Sequence, residues 1–479
     1  MSHVRRLLAL APLALALLAA PAAAQRQPTD PARPLPQPRQ GPTLNTPAVV
    51  VPADDDARIH AVVAAASAER IERDIRTLVN FGTRHTFSDT VSQTRGIGAA
   101  RRWIYAELQR ISRDCGGCLE VMYQSDVVKG GTHPRIPDDI NVVNVVAIQR
   151  GTTHPDRMVI MSGDIDSRVT DVMNATADSP GANDNASGVA GTIEAARLLS
   201  KHRFDGSIVY ALLSGEEQGL FGGEGLARYA KAQGWKITGV INNDMIGNTA
   251  GITGITDNTT ARVFAPGIPA TATQADLRRF LYSGGELDTP SRQLARYIDR
   301  VADRYVPNLD VKVIYRLDRF GRGGHHTPFF NEGFPAVRLM ETNEHYDRQH
   351  QDLRTENGRR YGDVIEGVDF PYAAKMTALN AAVLAALAWA PPAPDSVRVS
   401  GAVQASTTLR WNAVQAPDLL GYRIYWREPT SATWQHSRWV GNVTQATLEN
   451  IIIDNYFFAV AAVDREGHES LAVFPFPGR

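Results

Sequence analysis

Five short apolar runs alternate with helical stretches across the middle of this chain: Val142 to Ile148, Met158 to Met161, Ile208 to Leu213, Val240 to Asn242 and Ala336 to Leu339. Short apolar runs of this kind, lying between helical stretches and set off by Gly, Asp or Ser, read as buried strands. The helical stretches run from Arg58 to Val79, Gln93 to Ile111, Gly188 to His202, Gly223 to Ala232, Pro290 to Val306 and Tyr372 to Ala390. Strands separated by helices predict an α/β fold: a mostly parallel, mixed sheet covered by helices on both faces. Ligands of such sheets sit beyond the carboxyl ends of the strands.

Acidic residues fall at those ends. Gly181-Ala182-Asn183-Asp184-Asn185-Ala186-Ser187-Gly188, Ser214-Gly215-Glu216-Glu217-Gln218-Gly219 and Asn242-Asn243-Asp244 each set carboxylates beside the end of an apolar run. Ionised carboxylates gathered at one sheet edge repel each other, and cations offset that cost. With His350 added, the set is one imidazole plus several carboxylates, a ligand mix that suits a pair of zinc ions with open positions and points to metal-assisted hydrolysis. Taken singly, each run has a plainer explanation: a helix cap at Asp184 or Ser187, a solvated turn at Glu216-Glu217, a cap at Asp244, a core histidine at His350.

The 479 residues exceed one ordinary core and predict two or three domains. Arg5 and Arg6 precede an apolar run from Leu7 to Ala20, and Ala22-Ala23-Ala24 supplies small residues for cleavage. Residues 1–24 are therefore expected to be a signal peptide, leaving an exported protein, periplasmic or secreted, with no membrane span after cleavage. A Pro/Gln-rich linker is expected over 25–56, a catalytic domain over 57–390, and, after the stiff Pro391-Pro392-Ala393-Pro394, a small all-β sandwich over 395–479. The formal net charge of −1 excludes a nucleic acid or an anionic membrane as the obvious partner. Cys115 and Cys118, the only cysteines, are expected to form a disulfide in an exported chain. The stretch from Asn248 to Val311, rich in Gly, Pro and Thr, is expected to form an insertion beside the active site.

Asp164-Ile165-Asp166-Ser167, Pro180 to Gly188, Gly215 to Gly222, Asp244 and His350 resemble, in order, the motifs of the secreted di-zinc aminopeptidase family, which also contains glutamate carboxypeptidases and glutaminyl cyclases. The resemblance spans roughly Val142 to Asp352. It implies that Asp184 bridges two divalent ions, most commonly zinc, that Glu217 and His350 complete one shell, and that Asp164 and Asp244 complete the other. It further implies Glu216 as general base, taking a proton from a hydroxide-forming water between the ions, and Asp166 as the residue that orients a metal-binding group. A cis peptide after Asp184 is also implied. His325 and His326 are assigned to the substrate side or to support of the ligands.

Two positions depart from the family pattern. Asp164 stands where relatives carry His, and His325 where they carry Asp. An all-carboxylate first site (Asp164, Asp184, Asp244) has less preference for zinc and more for manganese, magnesium or calcium. The exchange suggests that His325 approaches that metal or pairs with Asp164. The function expected is an aminopeptidase acting on peptide substrates. Carboxypeptidase action aided by Arg316, Arg319 and Arg322, single-zinc glutaminyl cyclisation, and a weakened binding protein remain alternatives. Residues 395–479 resemble a fibronectin type III sandwich with Trp411 in its core and Tyr456 at a tyrosine corner. Trp426, Trp434 and Trp439 there are candidates for contact with protein or polysaccharide.

Overall fold

A computed structural model describes residues 51–53 and 55–477. The expected signal peptide and almost all of the expected linker lie outside the described residues. The main sheet has eight strands: β1 (Leu119–Val128), β2 (Ile140–Gln149), β3 (His154–Asp164), β4 (Gly206–Leu213), β5 (Lys236–Asn243), β6 (Thr260–Phe264), β7 (Asp310–Ile314) and β8 (Ala336–Glu341). Their order is β1-β2-β4-β3-β5-β8-β6-β7. The central β4-β3-β5-β8 pairings are parallel, while β1, β2 and the β6–β8 pairing add antiparallel edges. All five apolar runs became strands of this sheet, and buried side chains on its two faces form two separate apolar clusters. The α/β mixed sheet is thus as the pattern dictates.

Asn248 to Val311 is more than an insertion. It supplies β6, and its end begins β7, so it extends the sheet on the β8 side. The helix expected over Arg58–Val79 is two helices, Ala57–Ala64 and Ala68–Val79, because the Ser67 hydroxyl accepts from the Arg70 N–H and caps a new start. Helix Phe370–Trp389, apolar on all sides, is almost wholly buried against Ala186–Leu199 and the N-terminal helices. Cys115 and Cys118 are joined by a disulfide.

After Pro394 come two small sheets. One contains Arg398–Ser400, Thr407–Arg410, Gln445–Leu448 and Phe476–Pro477, the other Leu419–Arg427, His436–Gly441 and Phe457–Asp464. Trp411, Leu409, Ile424 and Val460 fill the space between them. Tyr422 of the second sheet is buried, and its hydroxyl accepts from the backbone N–H of Val414. Of the candidate surface aromatics, Trp426 is buried, and Trp434 lies against the guanidinium groups of Arg296 and Arg427.

Two polar clusters tie these sheets to the rest. Asp288, just before helix Pro290–Tyr305, holds Arg296 from that helix at 2.7 Å and Arg427 from the C-terminal strands at 2.6 Å, all three fully buried. His468 spans two carboxylates, Asp464 through Nδ1 and Asp56 through Nε2, each at 2.8 Å. Both ring nitrogens face acceptors, so the imidazolium fits this place. Burial works to lower the His468 pKa, but Asp464 and Asp56 outweigh it and raise it. A raised folded-state pKa gives stability that is complete below the ordinary value of about 6.5 and is lost as pH rises through the raised one. The melting-temperature advantage of wild type over His468→Gln is therefore expected to shrink as pH goes from about 6 to 9. An advantage that grows over that range would contradict the charged bridge.

Candidate metal centre

The parallel strands deliver the acidic runs to one edge. β3 ends at Asp164 and leads into Asp166; β4 leads through Gly215 into Glu216 and Glu217; β5 leads into Asp244. Gly215 has φ +73°, a left-handed conformation that lets the chain turn from strand into the short helix Glu216–Gly219. Asp166, fully buried, accepts from the backbone N–H of Glu216 at 3.2 Å and of Glu217 at 3.0 Å, and from Thr86 Oγ1 at 3.0 Å. It therefore sets the direction of both glutamates through their backbone. The Asp184-Asn185 peptide is cis. Asp363 fixes this loop by accepting from the N–H groups of Asn183 and Asp184. Glu341, at the end of β8, accepts from Asn183 Nδ2 and from the N–H groups of Gly247 and Asn248.

Asp184, Glu217 and His350 converge. Their ligand atoms all lie within 4.8 Å of one another, with His350 Nε2 at 2.8 Å from Asp184 Oδ2 and 2.9 Å from Glu217 Oε1. His350 is held at φ +57°, a costly backbone for a residue with a side chain and a mark of sites that position a group. The triad, Glu216 and Asp244 line a single cavity of about 370 Å3. Burial acts to lower the His350 pKa, but Glu217 and Asp184 outweigh it and hold it up at about 9. Burial pushes the Glu216 carboxyl well above its usual range, and the negative charges of Glu217, Asp244, Asp164 and Asp166 push the same way.

Within this frame residues 144–367 match Peptidase family M28. A probable zinc metalloprotease of Leptosphaeria maculans is 45% identical over 431 residues, covering 90% of this chain and 99% of that protein. The chain belongs to peptidase family M28. A probable zinc metalloprotease of Pyrenophora tritici-repentis is 42% identical, covering 91% of this M28 chain and 90% of that protein. The crystal structure of Legionella pneumophila LapA shares the fold, with a TM-score of 0.51 at 18% identity over 71% of this chain and 79% of that one. This M28 member is a zinc metallopeptidase.

The triad fits zinc. One imidazole and two carboxylates, mutually close and open to a cavity, are a catalytic zinc set with room for substrate. Arg168 supports it, holding Glu217 Oε2 through Nε at 2.8 Å and facing His350 Nδ1 through Nη2 at 2.7 Å.

The residues expected at the first metal do not fit an ion. Asp164 Oδ1 is 2.5 Å from His325 Nδ1, and Oδ2 accepts from Asn185 Nδ2 at 2.7 Å. Asp244 Oδ2 is paired with Arg338 at 2.7 Å. The expected approach of His325 to Asp164 is present. Burial lowers the His325 pKa to about 4, so a neutral ring donates Nδ1–H to Asp164. Gly223 makes room for it, since a Cβ there would lie 2.6 Å from the ring. His326 is buried away from the cavity, with Nε2 on the Leu317 carbonyl at 2.8 Å, and so is a structural residue instead of a substrate contact. The sequence reading missed Arg338, Arg168, Asp318 and Asp363. Only Arg338 carried a signal: a lone arginine between Val337 and Leu339 inside an apolar strand must be paired.

Proposed function

We propose that this zinc peptidase is an exported exopeptidase that removes residues from the N-termini of peptides. The observation that carries it is Glu216 standing beside the Asp184–Glu217–His350 triad in one cavity, with Asp166 holding both glutamates in place. Zinc held by the triad would polarise the scissile carbonyl and make water acidic enough to attack near neutral pH. Glu216, whose carboxyl takes up protons readily, accepts the proton of the attacking water and hands it to the leaving amine. Asp166 keeps Glu216 and Glu217 pointing apart, so that one carboxylate is free for protons while the other faces His350. The proposed export rests on the charged and apolar residues before Gln25, and the Cys115–Cys118 disulfide suits an oxidising compartment.

A second reading has its own support. Arg135, Arg168, Arg319 and Arg322 line the cavity, and a guanidinium pairs well with a substrate carboxylate. Arg316, the third arginine of that loop singled out from the sequence, is turned onto the Asp318 carbonyl and the Phe320 ring. Peptides blocked at one end separate the two readings. Aminopeptidase action predicts that N-terminal acetylation abolishes cleavage and C-terminal amidation leaves it. The reverse outcome would replace it with carboxypeptidase action, and cleavage of doubly blocked peptides would reject exopeptidase action altogether.

A further inference from the structure

Arg338 is fully buried and comes from β8, where it stands beside Asn242 of β5. Its Nη2 donates to Asp244 twice, at 2.7 Å to Oδ2 and at 3.2 Å to the backbone carbonyl. Its Nη1 donates to Asp318 Oδ2 at 2.9 Å and to the Gly323 carbonyl. Asp318 is in turn held by Arg319, whose other arm reaches Glu344 at 2.6 Å. The guanidinium is thus clamped between two carboxylates, and swinging off Asp244 would leave that buried carboxylate without its arginine partner. Gly324 closes the seat: a Cβ there would lie 2.8 Å from Asn242 Oδ1 and 3.2 Å from Arg338 Nη1. On the far side Asp164 has both oxygens engaged, by His325 and by Asn185.

We propose that this chain binds a single metal ion, at Asp184, Glu217 and His350, and that the Arg338 guanidinium permanently takes the place of a second cation beside Asp244. The chemistry explains the two departures in the sequence together. A metal ion can leave, but a guanidinium stays charged at every working pH and is covalently tethered, through the Arg338 side chain, to strand β8. Once a fixed positive charge occupies Asp244, the imidazole expected at position 164 has no ion to hold. Asp164 then serves as the acceptor for His325. Arg338 is a positioning residue in this scheme. It offsets the charge of Asp244 beside Glu216 and keeps out an exchangeable ion.

The inference rests on zinc at the triad, and metal counting separates failure of one from failure of the other. The full chain, stripped with a chelator, is titrated with zinc alone and followed by calorimetry and native mass spectrometry. One equivalent is expected, lost in His350→Ala and kept in Arg338→Lys. Two equivalents in wild type, with the second lost in Asp244→Asn, would overturn the inference and leave the triad intact. No zinc in wild type would overturn both. Arg338→Met frees Asp244, and the folded variant is expected to take up a second equivalent. A folded Arg338→Met chain that still binds only one would show that the guanidinium is not what fills the position. Should that variant not fold, the wild-type count decides.

Discussion

Glu216→Gln is expected to lower kcat by about 10²–10⁴-fold while zinc content and melting temperature stay at wild-type values. The size follows from the role. Glutamine keeps the shape of the side chain and its place beside Glu217, which is set through backbone N–H groups by Asp166 and so is untouched. It removes only the ability to carry a proton. The wild-type pH profile should show an acid limb belonging to Glu216, whose carboxyl is raised by burial and then by four neighbouring carboxylates, and whose ionisation is eased when zinc binds among them. The residual activity of the variant should lose that limb. Undiminished kcat in a zinc-loaded Glu216→Gln chain would remove Glu216 from the chemistry.

Asp288→Ala is expected to destabilise the chain by about 3–5 kcal/mol, read as a lowered urea midpoint. Among the described residues Asp288 is the one carboxylate shared by Arg296 and Arg427, and its removal leaves two guanidinium groups facing each other in a buried place between helix Pro290–Tyr305 and the C-terminal strands. Replacing all three residues together by apolar groups of similar volume should recover much of the loss, because the cost lies in the unpaired charge more than in a missing attraction. A loss below about 1 kcal/mol in Asp288→Ala would place this cluster among weakly contributing surface pairs. The C-terminal strands are then held by charge as well as by the packing of Trp434 on both guanidinium groups.

Much of the sheet was legible because a parallel strand buried on both faces must be apolar throughout and must end where the chain turns polar. β3, β4, β5 and β8 satisfy this, and so the acidic runs after them were assigned to one edge. β6 and β7 did not stand out, since each is a short strand toward one side of the sheet in a stretch rich in turn residues. Asp184, Glu216, Glu217 and His350 were readable from their glycine-rich or acidic settings and their order. Asp363 was not, because only tertiary folding brings it to the Asp184 loop from beyond the matching motifs. Arg338 showed only as a charge inside an apolar strand, with nothing in the sequence to name its partners. It sits in a strand whose apolar neighbours explain the strand completely, and its partners Asp244 and Asp318 lie far from it in sequence. The departures at Asp164 and His325 were visible as an exchange, yet the pairing of Asp244 with Arg338 was visible only in three dimensions.

The most direct test of the account is to strip zinc from the chain with a chelator, add it back in steps, and follow hydrolysis of peptides with free termini. The account predicts that turnover vanishes on stripping and returns in proportion to the zinc taken up by Asp184, Glu217 and His350. Turnover that survives complete stripping, or a fully loaded chain that hydrolyses no peptide, would contradict it.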